Sequence, residues 1–306
     1  MCDIWKRTDR SQTNVADLQR HRESMRVLGV RQVVLTGGEP LLHNDIQGLC
    51  NFFRELGIRI TLLTTGLLLS KHAEIVATHF DDVIVSLDGP AEVHNCVRQI
   101  RTAFTLIQQG IAAVREYNPT LRISCRTTVQ KANHVHLRAT VDAAKLLTLD
   151  SISFLPADLS SQAFNRAQPW NTDRKNEIAL SHEELIGLER EIELLISANA
   201  EDIHRGYIVE DATKLRRLAN RFREHLGYST PKAPSCNAPW VSAVIDVDGS
   251  VRPCFFHPVV GSIKYLTLED AINSESALSF RSSLSVQDNP ICTRCVCSLN
   301  YRQDRS

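Results

Sequence analysis

The chain has 306 residues, 43% of them hydrophobic and 23% charged, with 35 lysines and arginines against 35 aspartates and glutamates. That length suits about two domains with a sizeable buried core, and the even charge balance excludes a chain-wide field that would gather nucleic acid or an anionic membrane surface. No apolar run nears the ~20 residues that span a bilayer and no signal-type apolar segment opens the chain, so the expected compartment is the cytoplasm, where nine cysteines point to thiolate metal ligation rather than disulfides.

Residues 1–14 are polar apart from Ile4 and Trp5 and read as a loop. Asn14 can cap a helix over 15–28, where Val15, Leu18, Met25 and Leu28 recur near helical spacing before Gly29. A strand over 32–36 follows and runs into the sequence VVLTGGEPLLH at 33–43. Gly37 and Gly38 have no Cβ, so the main chain can touch a ligand or take positive φ there, and Glu39 can accept hydrogen bonds from an ammonium group. A tight turn that closes on Pro40, with Glu39 as a first-turn carboxylate, accounts for the same residues.

The pattern then repeats as strand, glycine turn and helix. Helices are expected at 45–56, 70–79, 99–117 and 134–147, and strands at 59–65, 82–87, 121–129 and 151–155. Five apolar strands separated by helices call for a parallel sheet with right-handed crossovers, whose ligands sit at the C-terminal ends of the strands. Residues 156–180 read as a long loop, and Ser181-His-Glu-Glu184 is a capping box opening a helix to about 197. A second amphipathic helix is expected over 207–226, then a linker over 230–235 and a hairpin whose arms, 242–247 and 250–253, flank Asp248-Gly249.

Cys236, Cys254, Cys292 and Cys295 form C-x12-G-x4-C, a gap, and C-x-x-C, with Gly249 at the hairpin turn. A hairpin brings the first two to one end and a C-x-x-C knuckle supplies two more, a soft donor set that selects zinc or an iron–sulfur cluster. Cys297 is a fifth thiol there: a substitute ligand, part of a longer set, or a bystander. Cys50, Cys96 and Cys125 read as buried or incidental residues. The histidines lack a catalytic zinc spacing, and nothing local sets Tyr301 or Asp173 apart.

Taken together, Met1-Cys2-Asp3-Ile4-Trp5-Lys6, the Gly37-Gly38-Glu39-Pro40 turn and the C-terminal cysteines resemble the radical S-adenosylmethionine (radical SAM) enzymes with a C-terminal twitch or SPASM auxiliary domain. The resemblance implies an α/β fold: a partial (β/α)6 TIM-like barrel with five of its six strands over residues 1–165, a helical connector over 166–230, and a small cysteine-rich α+β domain over 231–306. It implies that Gly37, Gly38, Glu39 and Pro40 bind the amino end of S-adenosylmethionine, that Ser86 and Arg98 hold its ribose and carboxylate, and that Thr65 and Leu155 line the same cavity, with Arg126 a weaker candidate. Cys2 would be the third ligand of a catalytic 4Fe–4S cluster, while Cys236, Cys254, Cys292 and Cys295 would hold an auxiliary 4Fe–4S cluster.

The activity so implied is reductive cleavage of S-adenosylmethionine to a 5′-deoxyadenosyl radical that abstracts hydrogen from a peptide or small-molecule substrate, with an electron donor such as flavodoxin or ferredoxin. Neither nucleic acid nor membrane is expected as a partner. The family's cluster loop is C-x-x-x-C-x-x-C, of which this chain holds Cys2 alone, so the expectation is that a strand and two cysteines precede it in a longer protein and that the 306-residue polypeptide by itself is inactive. The alternative is a non-catalytic metal-binding scaffold holding iron–sulfur or zinc. A third reading, an ordinary TIM-barrel enzyme using Glu39 as a base, predicts metal-independent turnover.

Overall fold

The structure, a computed structural model, describes residues 3–6, 10–163, 166 and 168–301. In chain order the elements are α1 (Val15–Gln19), α2 (Arg22–Val27), β1 (Gln32–Leu35), α3 (Ile46–Glu55), β2 (Arg59–Thr64), α4 (Ala73–His79), β3 (Asp82–Ser86), α5 (Ala91–Arg98), α6 (Ala103–Tyr117), β4 (Arg122–Val129), α7 (Leu137–Leu146) and β5 (Ile152–Pro156). They continue with α8 (Thr172–Ile178), α9 (His182–Ala198), α10 (Ala200–His204), α11 (Ala212–His225), α12 (Ala238–Val241), β6 (Val244–Ile245), β7 (Ser250–Arg252), β8 (Gly261–Ser262), α13 (Leu268–Ile272), α14 (Glu275–Ser283) and α15 (Pro290–Thr293). No helix among the described residues is long and apolar enough to cross a membrane.

The chain divides into two units. The larger comprises Gln32–Leu159 and Asn171–Ser229. Its five strands are all parallel and lie in the order β1-β2-β3-β4-β5. A sheet in strict sequence order with right-handed crossovers puts every connecting helix on one face, which is the architecture of a partial barrel rather than of a doubly wound sheet. The strands alternate accordingly. On β4, Ile123, Cys125, Thr127 and Val129 are buried while Ser124, Arg126 and Thr128 are half-buried, so only one face of the sheet is packed under helices. The other face of β4 carries hydroxyls and an arginine.

Beyond β5 the sheet gains one more parallel partner. Ile152 bridges Ile208, with Ile152 N–H donating to the Tyr207 carbonyl at 2.8 Å and Val209 N–H donating to the Ile152 carbonyl at 2.9 Å. Residues 207–209 are therefore extended, and the helix expected from 207 starts at Ala212, capped by the Asp211 carboxylate on Lys214 N–H. Helices α9 and α11 pack on α7 and β5, tied by Arg138 to buried Glu191 at 2.9 Å and Lys145 to Asp202 at 2.7 Å. They belong to the barrel unit, where the sequence suggested a separate connector over 166–230.

The smaller unit gathers Met1–Arg31, Ser160–Trp170 and Thr230–Ser306. The helix expected over 15–28 is broken at Arg20 and His21 into α1 and α2, and Leu18, His21 and Met25 are buried. Arg20 Nη1 reaches the Lys264 carbonyl at 3.5 Å and α2 packs on α13. The unit thus draws on residues well outside the 231–306 boundary, because α2 packs on α13 of its C-terminal segment. Its three-stranded antiparallel sheet turns at Gly249, whose φ of 80° suits glycine.

Candidate functional site

Because β1, β2 and β3 are parallel, their C-terminal ends share one edge, and the glycine-rich turns all fall there. Gly37 takes φ 135°, a conformation open to glycine, and Gly37 and Gly38 are exposed. Glu39 reaches across to the end of β2. Its Oε1 accepts Thr64 Oγ1 at 2.7 Å and Leu41 N–H at 3.3 Å, and its Oε2 accepts the Thr65 backbone N–H at 2.9 Å and the Thr65 hydroxyl. A carboxylate has about four acceptor positions, so Glu39 is fully engaged in holding the two turns together. Pro40 is buried beneath it as the first residue of a short 3-10 turn.

Ser86 at the end of β3 lies in register with Arg126 on β4, and Arg126 with Ser153 on β5, where Arg126 Nε donates to Ser153 Oγ at 3.3 Å. Leu155 lies on the same half-buried face one step further on. Arg98, at the end of α5, is drawn to the protein's own carboxylate: its Nε stands 2.7 Å from Oδ2 of fully buried Asp88, an ion pair without an aligned hydrogen bond. His94 completes this cluster by accepting the Asp88 backbone N–H on Nδ1 at 3.1 Å. Burial pushes the His94 imidazole down to about 4, with Arg98 acting in the same direction and Asp88 opposing.

Glu210 was not foreseen. Its Oε2 accepts the β5 edge amide of Phe154 at 3.0 Å, and burial pushes its carboxyl up to about 7 against the pull of that N–H, Arg126 and Lys214. The signal lay in Tyr207-Ile208-Val209, a β-forming triplet, followed by Asp211 as a helix cap.

In the smaller unit, four thiols converge on one cavity. Cys236, Cys254, Cys292 and Cys295 line it together with Pro234, Pro239, Phe256, His257, Val286 and Ile291, and no disulfide links any described cysteine. Local hydrogen bonds explain the placement. Asn289 Oδ1 caps α15 by accepting the amides of Ile291 at 2.9 Å and Cys292 at 3.2 Å, and Cys295 N–H closes the knuckle on the Cys292 carbonyl at 3.1 Å. Asn237 anchors Cys236 beside the chain's last turn through the Leu299 carbonyl at 2.7 Å and both backbone groups of Tyr301.

Burial raises the thiols of Cys254, Cys295 and Cys292, the last to about 11, and neighbouring sulfurs add to it. Cys295 Sγ donates to the Cys297 carbonyl at 2.9 Å. His257, which the sequence reading passed over, sits with Nε2 3.2 Å from Cys292 Sγ; its signal was the Cys254-Phe-Phe-His257 spacing.

Among the described residues, no three His, Cys, Asp or Glu side chains group tightly enough for a single metal ion. Four soft sulfur donors around one apolar cavity are a set that suits an iron–sulfur cluster or zinc. Cys2 lies outside the described residues, so its assignment as a cluster ligand has no geometry here. Cys50 and Cys125 are buried, and burial pushes Cys50 up to about 12, as expected of inert core thiols.

Residues 1–139 match the family profile of the radical SAM superfamily, and residues 236–296 match that of SPASM, an iron-sulfur cluster-binding domain. In sequence the chain is 32% identical over 123 residues to the AdoMet-dependent heme synthase of Methanosarcina barkeri, covering 39% of this chain and 35% of that protein. It is 24% identical over 256 residues to AlbA, the antilisterial bacteriocin subtilosin biosynthesis protein of Bacillus subtilis, covering 80% of this chain and 50% of that one. The chain thus spans half or less of the length of these relatives.

Solved structures with the same fold include anSMEcpe with bound AdoMet, at TM-score 0.64 and 18% identity over 96% of this chain and 82% of that one. Another is Streptococcus suis SuiB bound to S-adenosylmethionine, at TM-score 0.62 and 16% identity over 97% of this chain and 69% of that one. The two matched regions imply S-adenosylmethionine and iron–sulfur clusters as cofactors, and coincide with the strand-end turns and the thiol-lined cavity: the chain carries a radical SAM region over residues 1–139 and a SPASM domain over residues 236–296.

Proposed function

We propose that this chain acts in a radical SAM enzyme that modifies a peptide, with an auxiliary 4Fe–4S cluster held by Cys236, Cys254, Cys292 and Cys295. The observation that carries this reading is the convergence of those four thiols on one apolar cavity inside the SPASM region. Reduced iron–sulfur and S-adenosylmethionine, when bound, supply one-electron chemistry for hydrogen abstraction, and the protein orients the reactants and excludes water. The exposed main chain of Gly37 and Gly38 meets the methionine amine, with the Glu39 charge behind it and Pro40 fixing the turn. Thr65, Ser86 and Leu155 line the same strand-end cavity, and Arg98 holds its position through Asp88.

A peptide substrate is favoured by AlbA, whose match covers most of this chain and which takes part in bacteriocin biosynthesis, and by solved neighbours bound to peptides, SuiB with precursor peptide SuiA and anSMEcpe with Cp18Cys. A flavodoxin or ferredoxin would deliver the electron.

Anaerobic reconstitution of the 306-residue chain followed by iron and sulfide assay tests the reading. The expected result is one 4Fe–4S equivalent per chain, lost in Cys292→Ser and Cys295→Ser; zinc without sulfide overturns it. The 306 residues hold one cysteine ahead of Cys50, so this polypeptide alone is expected to release no 5′-deoxyadenosine when reduced with S-adenosylmethionine, and chromatographic detection of that product would refute the expectation.

A further inference from the structure

Of the residues lining the thiol cavity, His257 makes contacts that packing alone does not require. Its side chain is 2% exposed. Nε2 lies 3.2 Å from Cys292 Sγ, and Cys254, three residues before His257, lines the same cavity.

The ring is also held in place from behind. It packs edge-on against Phe280 of α14 at 4.8 Å between centroids, and the His257 carbonyl accepts Arg252 Nη1 at 3.2 Å. Arg252 is itself paired through Nε with Asp246 at 2.8 Å, across the hairpin. The imidazole cannot swing away from the sulfur without leaving Phe280, and Arg252 holds the backbone that carries it.

We propose that His257 is a positioning residue of the auxiliary site, donating Nε2–H to Cys292 Sγ and thereby setting the reduction potential of the cluster the four thiolates hold. The inference rests on the reading of the four thiols as cluster ligands. Cys292 must ligate as thiolate, which has no proton to give, so the proton between the two atoms belongs to Nε2 and the imidazole takes the Nε2–H tautomer. A hydrogen bond to a ligating sulfur draws off electron density and favours the more negative, reduced state of the cluster, which raises its potential.

The test is made on the whole 306-residue chain, reconstituted anaerobically, with iron and sulfide assayed before an EPR-monitored redox titration. His257→Phe keeps an aromatic ring against Phe280 and removes the ring donor; His257→Asn keeps a shorter N–H donor. His257→Phe is expected to retain its iron and sulfide while its potential falls, with the reduction equilibrium lowered by about tenfold, and His257→Asn is expected to recover part of that loss. If His257→Phe alone loses iron, the potential of His257→Asn decides, and a value equal to wild type overturns the proposal. An unshifted potential in a fully loaded His257→Phe also overturns it, as does loss of iron from both variants, which would make the imidazole itself a ligand. Failure of the underlying reading shows earlier and separately, as wild-type chain that takes zinc and no sulfide.

Discussion

His94 and Glu210 hold protons in opposite ways near the ends of the strands. The imidazole of His94, fully buried beside Asp88 and Arg98, binds its proton more weakly in the folded chain than in the unfolded one, being pushed down to about 4. Its neutral form is the one that accepts the Asp88 amide. Folding stability therefore drains away as pH falls from about 6.5 towards 4, by roughly 3 kcal/mol at most. Glu210, pushed up to about 7, binds its proton more tightly when folded, so its contribution is full below the ordinary carboxylate range and is lost as pH rises through 7. Relative to wild type, His94→Gln should gain stability on acidification from pH 6.5 to 4, whereas Glu210→Gln should gain on going from pH 4.5 to 7.5. Melting temperatures taken across pH 4–7.5 check both, and parallel curves for either variant would refute the corresponding assignment.

Helix α6 passes so close to the turn after β2 that a Cβ at Gly110 would stand 2.5 Å from Leu69 Cβ and 3.2 Å from the Ser70 backbone nitrogen. An exposed helical glycine replaced by alanine ordinarily gains up to about 1 kcal/mol. Gly110→Ala should instead lose roughly 1–2 kcal/mol, because Leu69 and the Ser70 backbone have to shift; a chemical denaturation midpoint at or above the wild-type value would contradict this. Gly110 itself carried no such warning in the sequence, since the clash is made by a segment some forty residues earlier.

The same contrast runs through the other elements. The five strands were legible because each is apolar and stops at a glycine or Asp-Gly turn, as at Gly37, Gly66 and Gly89, and the Ser181–Glu184 box sits where its side chains predict. Helix α5 was missed because Ala91–Arg98 is mostly polar, and its placement depends on the backbone N–H groups of Asp88 and Phe104 donating to His94 Nδ1 and Asn95 Oδ1. The turn glycines and the four tail cysteines were visible as spacing. The crossing of Glu39 to Thr64 and Thr65, the pairing of Arg98 with Asp88 and the approach of His257 to Cys292 were not, since each depends on which neighbour the tertiary fold delivers.

At the scale of the molecule, the smaller unit is assembled from three stretches, Met1–Arg31, Ser160–Trp170 and Thr230–Ser306, whereas the barrel sheet is built from neighbours in sequence order. Contacts between distant segments form slowly, because the loop between them must be closed before they are rewarded. The order of translation sharpens the point. Helices α1 and α2 leave the ribosome before the barrel, yet α13, against which α2 lies, is made after it. A nascent chain must carry Met25 without its final cover while the whole barrel is synthesised, and the thiols of Cys236, Cys254, Cys292 and Cys295 are made only after that wait. Pulse-labelled hydrogen exchange during refolding should accordingly show the amides of Arg22–Val27 gaining protection in step with those of Ser250–Arg252, after the β2–β4 ladder; protection of α2 ahead of the barrel would break that timetable.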